Sequence, residues 1–119
     1  MSVDVKIDRL EKMLQLQREF HELVGPSLKS ASEADCERMI ADTMRNLIVE
    51  CVEVMQSINW KPWKKKRVDP DWRNVKDELA DCQIFLMNAA MEAGMTDEDL
   101  YQAVMRKIHK NVERQKNGY

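Results

Sequence analysis

Apolar residues return every three or four positions through most of the chain, and that spacing predicts helices. From Ile7 to Val24 the repeat is carried by Leu10, Met13, Leu14, Phe20, Leu23 and Val24, and Gly25-Pro26 stops it. Residues 27–32 form a short polar linker in which Ser32 with Asp35, or Ser30 with Glu33, has the spacing that opens a helix. The next stripe is the most regular: Ile40, Met44, Leu47, Cys51, Met55 and Ile58. Periodicity then lapses from Asn59 to Pro70, across Pro62 and the run Trp60-Lys61-Pro62-Trp63-Lys64-Lys65-Lys66-Arg67. A third helix is predicted with Trp72, Val75, Leu79, Cys82, Leu86 and Ala89 on one face, ending near Gly94. Thr96 and Asp99 cap a fourth, which carries Leu100, Val104, Ile108 and Val112. No segment alternates with period two for long enough to make a strand. The expected fold is all-α, a four- to five-helix bundle in one domain spanning 1–119.

Composition narrows the class. The chain has 119 residues with only 3 Gly and 3 Pro, too few for the turns of a sandwich or barrel. Its 19 basic and 21 acidic residues leave a net charge of −2, which disfavours a global nucleic-acid coat. No apolar run reaches the ~18 residues of a membrane span and no secretory pattern opens the chain, so a soluble, cytoplasmic protein is expected. The three cysteines, Cys36, Cys51 and Cys82, form no CxxC pair and fall inside apolar helical patterns, where they read as core. The second and third helices also carry apolar residues off their stripes (Ile48, Val52, Val54, Ile84, Phe85), which predicts assembly into a homodimer or homotetramer.

Two matched acidic pairs stand out against this background. Glu50-Cys51-Val52-Glu53 lies on the second helix and Glu78-Leu79-Ala80-Asp81 on the third. At about 100° per residue, the two acids of each pair sit about 60° apart, one turn along the helix. Solvated boundary charge is the ordinary reading of a single such pair. Two pairs on helices that a short connection makes antiparallel neighbours would repel unless a cation neutralises them. Oxygen ligands without His or Cys suit Mg²⁺ or Mn²⁺ rather than zinc. A di-iron bundle would need Glu-x-x-His pairs, and neither His21 nor His109 follows a Glu by three.

Cations and aromatics complement the acids. Lys107, Asn111 and Arg114 recur at helical spacing on one face of the fourth helix, as a phosphate ester beside a metal would require; a basic helix C-terminus meeting the macrodipole is the plainer reading. Gln17 and His21 interrupt the apolar face of the first helix beside Phe20, and a Gln amide matches a nucleobase edge. Trp60 and Trp63, set among Lys61, Lys64, Lys65, Lys66 and Arg67, can stack on a base. The same loop pattern also suits single-stranded nucleic acid, a reading that leaves both acidic pairs unexplained.

Taken in order, these elements resemble the all-α NTP pyrophosphatase superfamily, which includes MazG-type enzymes, dimeric dUTPases and phage dCTPase/dUTPases. The ExxE and ExxD pairs carry the resemblance, together with the Trp60-Lys61-Pro62-Trp63-Lys64 loop and the tail Lys107-Ile108-His109-Lys110-Asn111-Val112-Glu113-Arg114-Gln115-Lys116-Asn117-Gly118-Tyr119. The tail is similar to a K-x-x-x-N-x-x-R-Q-x-x-G-Y ending. The resemblance implies hydrolysis of a deoxynucleoside triphosphate to the monophosphate and diphosphate, with Mg²⁺ (Mn²⁺ as substitute) on Glu50, Glu53, Glu78 and Asp81 and Glu53 as general base. It further implies that Lys107, Asn111, Arg114, Lys61, Lys64 and Tyr119 hold phosphates, and that Gln17, Phe20, His21, Trp60 and Trp63 enclose the base. The segment Gln17-Arg18-Glu19-Phe20-His21 and the absence of Asn-Glu after Glu53 depart from the dUTPase pattern. The expected substrate is dUTP or dCTP, with a purine deoxynucleotide such as dGTP as the MazG-like alternative.

Overall fold

The computed structural model describes residues 8–118 and is helical throughout: α1 (Arg9–Val24), α2 (Glu33–Gln56), α3 (Trp72–Glu92) and α4 (Asp97–Lys116). Ile7 and Tyr119 lie outside the described residues. Each helix starts where its sequence supplies an acceptor for the orphan amides of the first turn. Asp8 accepts from Glu11 N, and Asp71 from Asn74 N. Ser32–Asp35 and Thr96–Asp99 form full capping boxes. Gly94, at φ +79°, supplies the left-handed residue that ends α3, with Gly94 N on Met91 O and Met95 N on Ala90 O. The second stripe outruns its helix, since Ile58 falls in the turn beyond Gln56.

α2 and α3 form an antiparallel hairpin that supplies most of the packing. Hydrogen bonds tie its two ends: Asn74 Nδ2 donates to Ser57 Oγ (2.7 Å) at the loop end, and Thr43 Oγ1 donates to Glu92 Oε1 (2.6 Å) at the other. α1 lies along α3 in the same direction, because Gln17 meets Asn88 and His21 meets Glu92, both 71 residues apart. α4 packs lightly, chiefly on α1, and buries none of its residues.

The core is thin. Its buried apolar residues are Leu14, Val75, Met87, Ala90 and Met91. Many stripe positions read as core are open, among them Phe20, Leu79, Leu86, Val104, Ile108 and Val112. The cysteines depart from expectation in the same way: Cys36 and Cys82 are half-buried and Cys51 is exposed. The radius of gyration is 18.3 Å, against roughly 13–14 Å for a compact chain of this length. The physical reason is geometric. The apolar stripes are wider than the contacts one hairpin and two outlying helices can make.

Candidate functional site

The hairpin sets its polar residues in register. Counting steps of three and four, Thr43, Asn46, Glu50, Glu53 and Ser57 fall in one row on α2, and Asn74, Glu78, Asp81, Asn88 and Glu92 with Phe85 fall in one row on α3. Antiparallel pairing lays the rows against each other. Neutral hydrogen bonds close the loop end: Asp71 N donates to Ser57 O at 3.0 Å and Ser57 Oγ to Glu53 O at 3.2 Å. The carboxylates fall between these bonds and Glu92.

Oxygens of Glu50, Glu78 and Asp81 converge to within 4.8 Å of one another. Glu53 lies near enough to Glu78 to act on its protonation, so three of the four sequence-predicted acids converge and the fourth stands at the cluster's edge. Glu50, Glu53 and Glu78 are half-buried and Asp81 is exposed. One oxygen each of Glu50 and Glu78, both Oε2, is shut away from solvent with no hydrogen-bond partner. Glu78 is held above the ordinary carboxylate range, chiefly by its hydrogen bond with Glu50, then by loss of solvation, with further contributions from the charges of Glu50 and Asp81; Glu53 opposes the rise. Buried lone pairs without donors, in a cluster of like charge, are what a hard divalent cation satisfies. The donor set therefore fits Mg²⁺ or Mn²⁺.

The residues assigned to a base are divided: Gln17, Phe20 and His21 lie beyond Asp81 toward the C-terminal end of α3, whereas Trp60 and Trp63 lie in the loop on the other side of the acids. Gln17 Nε2 donates to Asn88 Oδ1 at 2.9 Å, and Asn88 stands seven residues, or about 10 Å of helix, from Asp81. Phe20 is exposed. His21 is buried, with Nε2 3.1 Å from Glu92 Oε2 and Nδ1 without a partner. It acts first as the tie between α1 and the hairpin. Trp60 and Trp63 meet edge to face, with centroids 5.9 Å apart at 83°, and Lys61 Nζ lies 5.3 Å from the Trp60 ring centre.

The cationic face of α4 is not gathered in with the acids. Lys107, Asn111 and Arg114 are exposed, on a helix whose principal contact is α1 rather than the acid-bearing hairpin. Several participants escaped the sequence reading: Thr43, Ser57, Asn59, Asn74, Asn88 and Glu92. Extending the three-and-four count outward from each acidic pair would have found all of them but Asn59.

A family model described as dUTPase matches residues 9–97, a span that holds both acidic pairs and the loop and stops at the start of α4. The dCTP pyrophosphatase of Enterobacteria phage T4 is 32% identical over 103 residues, covering 73% of this chain and 58% of that protein. The dCTP pyrophosphatase of Enterobacteria phage LZ5 is 28% identical over 144 aligned residues, covering 95% of this chain and 84% of that protein. The chain thus spans little more than half the length of the phage T4 relative. No solved structure matches it significantly.

Proposed function

The chain belongs to the dUTPase family, and from that membership we propose that it is a divalent-cation-dependent pyrophosphohydrolase of deoxynucleoside triphosphates, dNTP + H₂O → dNMP + diphosphate. The observation that carries the reading is the convergence of Glu50, Glu78 and Asp81, with two buried oxygens left without donors. The family is described by dUTP and the phage relatives by dCTP, so a pyrimidine deoxynucleotide is the proposed substrate.

Glu50, Glu78 and Asp81 would hold Mg²⁺ or Mn²⁺, which supplies neutralisation of phosphate charge and activation of the attacking water. Glu53, at the edge of the cluster nearest the loop, would serve as general base toward the attacking water in place of a ligand role. Gln17 and Phe20 meet the base, with His21 fixing α1 behind them, and Trp60 and Trp63 stand at the loop end with the phosphates. Lys61 and Lys64 meet the phosphates from the loop.

The functional unit is a homodimer. Ile48 on α2 and Leu79 and Leu86 on α3 fall on the flank of the hairpin opposite the acids, exposed by 63%, 52% and 47%. A second hairpin laid on that flank would complete a four-helix core. A neighbouring chain would also bring its own α4, and with it Lys107, Asn111 and Arg114, to phosphates that this chain's α4 does not meet.

Diphosphate release from dCTP, dUTP and the remaining deoxynucleotides, with and without Mg²⁺, tests the proposal. Release is expected from dCTP or dUTP only with the metal, and Glu50→Gln should abolish it while the helical circular dichroism persists. Metal-independent release, or full activity of Glu50→Gln, would overturn the assignment. Preference for dGTP would move the chain to the purine alternative.

A further inference from the structure

Outside the acid cluster, the strongest concentration of like charge is the loop after α2. Lys61, Lys64, Lys65, Lys66 and Arg67 fall within seven residues that contain no acid, on a chain whose net charge is −2. The loop does not splay to disperse them. Asn59 pairs with the Val68 backbone in both directions, Nδ2 donating to Val68 O at 2.7 Å and Oδ1 accepting from Val68 N at 2.9 Å. Asp71 N on Ser57 O closes the base of the loop at 3.0 Å. Folded back in this way, the chain lines a half-open cavity of about 470 Å³ walled by Trp60, Lys61, Lys64, Lys66 and Arg67, with one acid, Asp69, at its wall and α2's last turn and Ser57 beneath. That volume lies in the range of small-molecule sites. Cations drawn into one concavity repel each other unless an anion of high charge density sits among them.

Position identifies the anion. Gln56 and Ser57 border the cavity and stand one helical turn, about 5 Å, beyond Glu53. A nucleotide whose first phosphate sits at the carboxylates therefore has its outer two phosphates within reach of the loop. We propose that this cavity is a diphosphate site, with Lys66 and Arg67 as members beside Lys61 and Lys64, and that it receives the outer phosphates of the substrate and keeps the inorganic diphosphate after cleavage. The second half rests on the reaction proposed above, whereas binding of diphosphate does not.

The test is calorimetric titration of inorganic diphosphate into the full chain, in chelator and without added metal, at two salt concentrations. One diphosphate per chain is expected, bound more weakly as salt rises and at least tenfold more tightly than inorganic phosphate. Lys66→Ala/Arg67→Ala should weaken binding tenfold or more. Asn59→Ala, which opens the loop but keeps every cation, should weaken it too, with unchanged circular dichroism. Absence of binding in the parent, or equal binding in the double variant, overturns the proposal. So does an oligothymidylate that outcompetes diphosphate through the same two residues. The parent's own activity separates the two readings: diphosphate binding by a parent chain that is inactive on every deoxynucleotide would uphold the cavity and remove the hydrolase.

Discussion

Replacing Thr43 by Val changes shape little and removes one hydroxyl, the donor 2.6 Å from Glu92 Oε1. Thr43 and Glu92 are 7% and 5% exposed, so water has almost no route to the vacated acceptor. A hydrogen bond to a charged group contributes about 1.5–3 kcal/mol, and leaving its buried acceptor unmet forfeits that contribution. Thr43→Val should therefore lose about 1.5–3 kcal/mol, which for a domain of this size lowers Tm by roughly 5–12 °C. Urea unfolding followed by circular dichroism gives the loss, at one fixed protein concentration because association would add to apparent stability. Thr43→Ser restores the donor and should recover most of the loss. A change below about 0.5 kcal/mol in Thr43→Val would refute the argument, since it would mean that Glu92 finds another donor or is not seated between α1, α2 and α3.

The remaining predictions concern assembly and acid. Leu79→Asp puts a charge on the open flank of the hairpin; light scattering after size-exclusion chromatography should find a dimer for the parent and a monomer for the variant, and a parent that is already monomeric would remove the interface. Asp35 and Asp99 are held below the ordinary aspartate range, first by the backbone amides of Ser32 and Thr96 and then by their hydroxyls. With the folded pKa depressed, the unfolded chain binds more protons, so this stabilisation is complete above about pH 4 and is lost as pH falls below it. The slope of unfolding free energy between pH 5 and 3 should flatten in Asp35→Asn/Asp99→Asn, and an unchanged slope would assign the acid sensitivity to other groups.

What could be read from the sequence was what depends on neighbours in the chain. The capping boxes at Ser32 and Thr96 and the left-handed turn at Gly94 are local, and they occur where the pattern placed them. Glu50, Glu53, Glu78 and Asp81 were legible because each pair repeats at one-turn spacing and the 59–70 break is short enough to return α3 against α2. His21 was noticed as an anomaly without its reason, because its partner Glu92 is 71 residues away and looks like any other helical Glu. The stripe Val104, Ile108 and Val112 was real but did not become core. Periodicity reports that a face wants covering and does not say whether the same chain covers it.

The paired hydrogen bonds between Asn59 and the Val68 backbone have an evolutionary consequence. They make residues 60–67 a cassette fastened at its own neck. Charges and rings inside the cassette can be exchanged, or its length altered, without shifting the register of Glu53 against Glu78. The loop's sequence can therefore drift in one part of the chain while the acid cluster stays constant in another.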